Sequence, residues 1–150
     1  MTPPGLVLGI ESSCDETAAA LVRGGREILS SVVDSQVAEH AKFGGVVPEI
    51  AGRSHLRSIL PVVDRALSQA GASLDDVAAI AVTTQPGLIG SLLVGLSAAK
   101  ALAFARGLPL VPVDHIEAHV YAATMECERD PYPCAALVVS GGHTALYHAR

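Results

Sequence analysis

The order of strand-like and helix-like segments is the feature that most restricts how this chain can fold. Three aliphatic runs come first: LVLGIE (6–11), TAAALVR (17–23) and REILSSVVDS (26–35). Helical and strand patterns then alternate along the chain. A β-β-β-α-β-α-β-α order predicts an α/β fold with a mixed sheet, in which an antiparallel meander is followed by parallel strands joined by crossover helices.

Three segments have the pattern of helices. The first begins at Pro48, where proline has no N–H to lose, and apolar residues recur at helical spacing until Gly71. The second spans 87–107 and the third spans 115–128. The segments VAAIAVTT (77–84) and LPLVPV (108–113) between them predict the fourth and fifth strands, and HAKFGGVVPE (40–49) is expected to be a loop.

A second unit starts near the end of the chain. After RDPYP, the segments AALVVS (135–140) and TALYHAR (144–150) predict two further strands joined by the turn GGH. The strand-turn-strand order has therefore begun again, with a boundary between Glu128 and Pro133. We expect a first α/β domain over residues 1–130 and the beginning of a second, similar domain over 131–150.

Composition limits the classes of function. With 150 residues, of which 50% are hydrophobic, the chain can build one core. Ten Lys+Arg against fifteen Asp+Glu give a net charge of −5, which argues against general nucleic-acid binding without a local basic patch or a partner.

Cysteine usage and the first residues indicate a cytoplasmic protein. The three cysteines share no C-x-x-C spacing, which favours a reducing compartment over a disulfide framework. The start, MTPPG, has neither the basic nor the apolar region of a signal peptide. The apolar segment 87–107 contains Lys100 and many small residues, so we interpret it as a buried helix and not as a membrane span.

Two histidines at the start of the third helix form a candidate metal pair. His115 and His119 are four residues apart, so both rings can point from one helix face toward a single ion. They directly follow a strand, and ligands bind at the carboxyl ends of strands in open α/β sheets. The alternative is a pair of solvated or capping histidines. Zinc-protease chemistry is disfavoured, because Ile116 stands where the H-E-x-x-H signature has its general base.

A cluster of carboxylates lies between the first two strands. Glu11, Asp15 and Glu16 precede Thr17 in the stretch IESSCDETAAALV. Carboxylates at a strand end can hold a metal–phosphate complex or orient a nucleophile. An ordinary polar hairpin turn has the same composition, and the spacing alone does not separate these two alternatives.

A glycine pair follows the sixth predicted strand. Ser140, Gly141 and Gly142 lie in VVSGGHT, where backbone N–H groups without neighbouring Cβ atoms can form an anion nest. Glycine pairs also form ordinary hairpins. Pro86 and Gly87, ahead of the second helix, could form a further anion site at its N-terminus.

The second helix is apolar on nearly every face. One face can pack on the sheet, and the others also need cover. Burial under the first helix is one explanation. A helix from another protein is the one we favour.

Five motifs in register resemble the amino-terminal half of the TsaD family. They are LGIESSCDETAAALV, HAKFGGVVPEIAGRSHL, TTQPGLIGSLLVGLSAAKALA, VPVDHIEAH and ALVVSGGHT, which together cover nearly the whole chain. The family makes the threonylcarbamoyl modification of adenosine in tRNA. The resemblance implies an actin-like ATPase (ribonuclease H-like) fold of two related α/β domains.

The resemblance also implies roles for particular residues. His115 and His119 would bind one divalent ion, iron or zinc. The catalytic carboxylates would be Asp15 and Glu16, facing the transfer site. ATP or threonylcarbamoyl-adenylate would contact the segment that consists of Val138, Val139, Ser140, Gly141, Gly142, His143 and Thr144. Cys14 would be a packed thiol, because the reaction requires no covalent enzyme intermediate.

The chain departs from the family in two respects. Asp114 stands where relatives often have His or Asn, and no metal binding is assigned to it. The family's third protein ligand, an aspartate, lies in the carboxyl-terminal half, so the isolated 150 residues are expected to be inactive.

The resemblance implies that a TsaB-type homologous subunit, or a second copy of the chain, binds the two long helices. It also implies a TsaE-type ATPase as a further partner and tRNA as the substrate. Association with a membrane is not expected. The alternatives are a non-catalytic scaffold of the same fold and a carbamoyltransferase of related fold.

Overall fold

The computed structural model describes residues 5–125, 127, 129–140 and 144–150. The strands are β1 (Leu6–Glu11), β2 (Glu16–Arg23), β3 (Glu27–Ser35), β4 (Val77–Gln85), β5 (Leu110–Asp114), β6 (Cys134–Val139) and β7 (Thr144–Ala149). The helices are α1 (Val37–His40), α2 (Pro48–Gln69), α3 (Ile89–Arg106) and α4 (His115–Thr124), with 3₁₀ turns at Ala41–Phe43 and Leu74–Asp76.

The first five strands form one mixed sheet in the order β3-β2-β1-β4-β5. β1, β2 and β3 are antiparallel neighbours, whereas β1, β4 and β5 run parallel to one another. The predicted meander with parallel crossovers is therefore confirmed. Because the three parallel strands point the same way, their carboxyl ends meet at one edge of the sheet.

One face of the sheet carries the hydrophobic core. In β2, side chains alternate between buried and partly exposed positions, as the period of a strand requires, and Thr17, Ala19 and Leu21 point into the core. α2 packs against β2 and β3, while α3 packs against β1, β4 and α2. The core residues are Leu8, Ile10, Ala19, Leu21, Val32, Ile59, Val62, Val63, Ala66, Leu67, Val77, Ile80, Val82, Ala99 and Ala103.

Not every apolar residue of the helical pattern in α2 is buried. Ile59 and Val63 lie in the core, but Leu56 and Leu60 are 67% and 59% exposed. α3 likewise buries Leu92 and exposes Leu93. An apolar surface therefore remains on the outside of the two helices.

α3 is long and apolar enough to cross a membrane by length and composition alone, and 28% of it is buried in this structure. It packs here through Leu92, Ala99 and Ala103 against the sheet and α2. The interpretation as a buried helix therefore holds only for the face of α3 that carries these residues.

Two local expectations differ from the structure. The stretch expected to be a loop contains the end of α1 and a 3₁₀ turn, which stops at Gly44 in the left-handed conformation. The third predicted helix, drawn to residue 128, ends at Thr124, because the chain turns at Met125. A glycine marks the end of the 3₁₀ turn, whereas Met125 follows the last residue of α4.

β6 and β7 form a separate antiparallel pair. α4 contacts β6, which brings the pair next to the carboxyl end of the large sheet. Leu137, Val139 and Leu146 on this pair are 64%, 68% and 73% exposed. Both predicted strands are therefore present, and their apolar side chains lack cover within the described part of the chain.

Candidate functional site

The candidate site lies at the carboxyl ends of the parallel strands. β1 ends at Glu11, and β5 ends at Asp114, directly before α4. Thr83, near the end of β4, donates a hydrogen bond to Glu11 Oε2 at 2.6 Å. Three neighbouring strands therefore each end in a polar side chain at the same edge of the sheet, as is usual for ligand sites in open α/β sheets.

Asp114 fixes where α4 begins. Its carboxylate accepts hydrogen bonds from the N–H groups of Ile116 and Glu117, at 2.8 and 3.2 Å, and so caps the helix. Its Oδ1 atom is thereby occupied at the helix start. Because the cap sets the first turn, His115 and His119 come to lie on one face of α4.

The two histidines converge as the spacing predicts. Their Nε2 atoms are 3.1 Å apart, and the rings meet edge to face with centroids 4.5 Å apart. With metal–nitrogen bonds of about 2.0–2.1 Å, two ligand nitrogens on one ion lie roughly 3.0–3.4 Å apart. The observed separation fits this value, so the pair is suited to hold one ion of the iron or zinc type.

A third protein ligand is not found beside the pair. Among the described residues, no group of three or more His, Cys, Asp or Glu side chains could hold a metal ion. The two histidines are therefore a partial ligand set within this part of the chain.

Glu11 is the carboxylate that contacts the histidine pair. Its Oε2 atom lies 3.1 Å from His115 Nδ1, and both side chains are about 30% exposed. Partial burial acts to raise the pKa of Glu11, but hydrogen bonds from Thr83, Ser13 and His115 outweigh it, so that the pKa falls below its ordinary value. An ionised Glu11 accepts a hydrogen bond from Nδ1–H of His115, and the Nε2 lone pair of that ring is then the one that can bind a metal.

The turn after β1 is tied to α3. Ser12 Oγ donates to the carbonyl of Ser91 at 2.8 Å and accepts from the N–H of Gly95 at 3.1 Å, and Leu88 N–H donates to the carbonyl of Ser13 at 2.8 Å. A Cβ atom on Gly95 would overlap Ser12 Oγ, and one on Gly87 would lie 2.6 Å from the Ser13 carbonyl oxygen. The close approach of helix and turn therefore requires glycine at both positions.

Asp15 and Glu16 follow in the same turn but make no contact with the histidine pair in the structure. They surround Cys14, which is exposed at the surface. Partial burial, a hydrogen bond to Asp15 and the negative charges of Asp15, Glu11 and Glu16 raise the pKa of Cys14 to about 11. At neutral pH the thiol is therefore protonated. The expectation of a packed thiol is wrong, because the Cys14 side chain lies exposed in the turn between β1 and β2.

The histidine pair faces the predicted substrate segment across a cleft. This cleft has a volume of about 600 Å³ and is lined by His115 and His119 on α4 and by Val138, Val139 and Ser140 at the end of β6. Thr144 begins β7 opposite Val139. Gly141, Gly142 and His143 lie outside the described residues. The structure therefore brings together the predicted metal pair and one side of the predicted substrate segment.

Sequence analysis missed the contact partners that organise the site. Glu11 was noticed as one of three carboxylates, but its contact with His115 spans 104 positions of the sequence. Ser13, whose Oγ lies 3.2 Å from His115 Nδ1, was not singled out. The position of Glu11 at the end of β1 could have indicated its role, because ligands bind at the carboxyl ends of central parallel strands.

This fold and this site define a class of protein. A β-β-β-α-β-α-β-α domain with its polar cluster at the carboxyl ends of the parallel strands is an α/β protein of the actin-like ATPase, ribonuclease H-like fold. The structure of YeaZ from Pseudomonas aeruginosa shares this fold, with a TM-score of 0.61, 21% identity, and coverage of 95% of this chain and 64% of that one.

Sequence comparison identifies the family within that class. The family model of TsaD, tRNA N6-adenosine threonylcarbamoyltransferase, matches residues 27–150. A tRNA N6-adenosine threonylcarbamoyltransferase of Pelobacter propionicus is 65% identical over 142 residues, which cover 95% of this chain and 42% of that protein. One of Syntrophus aciditrophicus is 59% identical over 145 residues, which cover 97% of this chain and 43% of that protein.

The chain belongs to the TsaD family. It spans about two fifths of the length of the curated relatives that it matches.

Proposed function

We propose that this chain is the amino-terminal part of a tRNA N6-adenosine threonylcarbamoyltransferase. The enzyme would transfer threonylcarbamoyl from threonylcarbamoyl-adenylate to the exocyclic amine of the adenosine next to the anticodon. Family membership supports the reaction class, since relatives at 59% and 65% identity bear this name. The observation in this structure that carries the proposal is the convergence of His115 and His119, 3.1 Å apart, on the cleft beside Val138–Ser140.

His115 and His119 are the proposed metal ligands, with a further ligand from outside the described residues. A bound divalent iron or zinc ion would supply Lewis-acid polarisation of the donor. Glu11 orients the His115 ring through its Nδ1 proton, as carboxylates do for metal-binding histidines. Thr83 and Ser13 in turn hold Glu11 in place.

Asp15 and Glu16 are the proposed catalytic carboxylates. Asp15 lies in the turn that follows Ser13 and Glu16 begins β2, while Ser13 contacts His115. In the proposed reaction one of them accepts the proton of the attacking amine. The adenylate would lie along the segment from Val138 to Thr144, where the end of β6 borders the cleft.

The exposed surface of α2 and α3 is the proposed partner surface. A Cβ atom on Gly52 of α2 would lie 3.8 Å from the backbone of Gly90 on α3, so the two helices approach closely there. Leu56 and Leu60 follow Gly52 on one face of α2, and Leu93 follows Gly90 on α3. We infer that a TsaB-type homologous subunit, or a second copy of the chain, covers this apolar surface.

The remaining features follow from the proposed reaction. A TsaE-type ATPase would be a further partner, tRNA the substrate and the cytoplasm the site of action. We also propose that residues 1–130 form the first domain and that residues 131–150 begin the second.

The test uses the complete enzyme, with the carboxyl-terminal part that the relatives possess. We expect His115→Ala or His119→Ala to abolish adenosine modification and to lower metal content, because losing one of few protein ligands releases the ion. Metal content is measured by elemental analysis, modified adenosine by mass spectrometry and folding by circular dichroism. Unchanged metal content and turnover in the double variant would show that the metal assignment is wrong.

A scaffold of the same fold is the second candidate. The exposed leucines of α2 and α3 favour it, since a binding module needs such a surface. The two candidate functions differ in whether the histidine pair binds a metal, because a scaffold does not need one. A wild-type protein that binds its partner but neither holds metal nor modifies tRNA would support the scaffold.

A further inference from the structure

A chain of buried polar side chains connects the start of α2 to the turn that carries Asp15 and Glu16. His40, Gln36 and His55 are 3%, 3% and 0% exposed. Val47 N–H lies 3.2 Å from His40 Nδ1, and His40 Nε2 lies 3.2 Å from Gln36 Oε1. Gln36 Nε2 then lies 3.3 Å from His55 Nδ1, and His55 Nε2 lies 3.1 Å from the carbonyl oxygen of Cys14.

The two ends of this chain determine the direction of every hydrogen bond in it. Val47 N–H can only donate, so His40 Nδ1 accepts and His40 Nε2 carries the proton of a neutral ring. The carbonyl of Cys14 can only accept, so His55 Nε2 carries a proton, and its Nδ1 accepts. The amide of Gln36 accepts from the first ring and donates to the second. Both ends thus lead independently to the same assignment.

His55 holds both sides of the Asp15–Glu16 pair. Besides the carbonyl of Cys14, it contacts Thr17 Oγ1, which lies 2.7 Å from Nδ1 and is the nearer of the two donors that share the single lone pair of this nitrogen. The backbone N–H of Gln36 donates to the carbonyl of Asp15 at 3.0 Å. One buried imidazole and its amide neighbour therefore hold the residues before and after the two carboxylates.

The need to fill space in the hydrophobic core does not explain why polar side chains are buried at this position. A neutral imidazole in an apolar environment costs free energy unless both nitrogens have partners, and aliphatic side chains would fill the same space without that requirement. Within the described part of the chain, Ser30 Oγ is the one buried side-chain polar atom without a partner. The network is therefore complete, and its end lies at the proposed catalytic turn.

We propose that His55 is a positioning residue for the Asp15 and Glu16 carboxylates, and that Gln36 and His40 hold it in its Nε2-protonated form. This role rests on the proposed function in so far as it concerns catalysis. A rigid turn keeps the carboxylates at the distance from the amine that proton transfer requires, and transfer rates depend steeply on such positioning.

The first test is independent of activity. In the complete enzyme uniformly labelled with ¹⁵N, which makes both histidine rings and backbone amides observable, we expect His55 and His40 to show a protonated Nε2 and an unprotonated Nδ1 at neutral pH. Backbone relaxation should give Asp15 and Glu16 order parameters near the rigid value of about 0.85. The opposite tautomer, a doubly protonated His55, or a mobile turn in the wild-type chain would overturn the proposal.

The second test compares two substitutions in the complete enzyme. His55→Gln retains one donor and one acceptor, whereas His55→Leu has neither but fills a similar volume. For His55→Leu we expect kcat to fall at least tenfold, KM for donor and tRNA to stay within about twofold, and the turn to become mobile. His55→Gln should recover most of both losses. Equal losses in the two variants, or an unchanged kcat in folded His55→Leu, would contradict the positioning role.

Thr17→Val supplies a third variant if His55→Leu does not fold. It removes the hydroxyl that donates to His55 Nδ1 and changes little volume, so a smaller loss of kcat with unchanged KM is expected. An unaltered kcat and an unaltered turn would count against the proposal. A wild-type enzyme without transfer activity would refute the proposed function alone, because the tautomer and the mobility of the turn are still decided by the first test.

Discussion

Neighbouring carboxylates in one turn have different environments in this protein. Glu11 is partly buried, and its hydrogen bonds to Thr83, Ser13 and His115 lower its pKa. Glu16, a few residues later, is exposed, and Asp15 is partly buried like Glu11 but has no contact with His115. An orienting role suits a carboxylate whose oxygens are all occupied, and a proton-transfer role suits one that a substrate can reach. The same residue type therefore takes two proposed roles.

Cys14 should react slowly for an exposed thiol. At pH 8 a pKa of about 11 leaves roughly one thiolate in a thousand, against about a quarter for an ordinary thiol with a pKa of about 8.5. The higher intrinsic nucleophilicity of the more basic thiolate offsets part of this difference, so we expect a rate lower by about one order of magnitude. Reaction with a disulfide reagent at pH 8 is followed by absorbance.

The matched comparison uses two single-cysteine variants. One retains Cys14 and the other retains Cys127, which is also exposed. The Cys14 rate should rise with pH up to about 11. Equal rates in the two variants at pH 8 would show that the carboxylates do not raise the pKa of Cys14.

At the scale of elements, the contact between α3 and the turn after β1 positions both sides of the site. Ser12 bonds to a carbonyl and an N–H of α3, and Ser13 accepts from Leu88 at its start. This contact places the Glu11–Glu16 stretch relative to the helix. The same helix carries the exposed leucine of the partner surface, so the site and that surface share one element.

Glycine substitutions in α3 should change stability in opposite directions. Gly95→Ala places a methyl group on Ser12 Oγ, so we expect a loss of about 1–3 kcal/mol in the free energy of unfolding. Gly90→Ala meets no atom within 4 Å, so it should gain about 0.5–1 kcal/mol from the higher helix propensity of alanine. Urea unfolding of both variants measures the two values. A stabilised Gly95→Ala protein would show that helix and turn are not in contact.

At the scale of the whole molecule, two surfaces lack cover within the described part of the chain. One is the outside of α2 and α3, and the other is the pair of strands β6 and β7. A two-stranded sheet is marginally stable alone in water. The relatives are more than twice as long as this chain, which agrees with further structure that completes this unit.

Leu93→Glu should weaken assembly without unfolding the sheet. Leu93 is 52% exposed on α3, and burying a charge there in an interface costs several kcal/mol. We expect at least a tenfold loss of affinity for the partner subunit, measured by analytical ultracentrifugation. Val33→Glu is the matched control, because Val33 is 50% exposed and points to the face of β3 opposite to that of its buried neighbour Val32, which lies in the core beneath the helices. Equal effects of the two changes, or a wild-type chain that binds neither itself nor a TsaB-type subunit, would contradict the proposed surface.

The isolated 150 residues should not perform the transfer. Their described part has two candidate metal ligands, and the wall of the cleft formed by β6 and β7 has no further sheet to support it. Without a pre-organised cleft the positioning that the reaction needs is lost. The measurement is mass spectrometry of tRNA after incubation with donor adenylate and partner proteins. Turnover equal to that of the complete enzyme would show that the site is complete without further chain.

The sequence by itself determined the order of elements, the candidate metal pair and the family. Strand and helix periodicities are local, since each depends on neighbours two to four residues away, and so they can be read without the fold. The histidine pair has the same local origin, because a spacing of four residues places both rings on one helix face. The five motifs were identified from residue identities alone.

Only the tertiary structure decided which side chains meet. Glu11 and His115 are 104 positions apart, and His55 and Cys14 are 41 positions apart. Their contacts arise because parallel strands end at one edge of the sheet and because α2 packs across β2 and β3. Leu56 and Ile59 also look alike in the sequence, yet one is exposed and the other buried, since helical spacing does not say which face meets the sheet. Long-range contacts depend on how elements pack, and packing is a property of the whole fold.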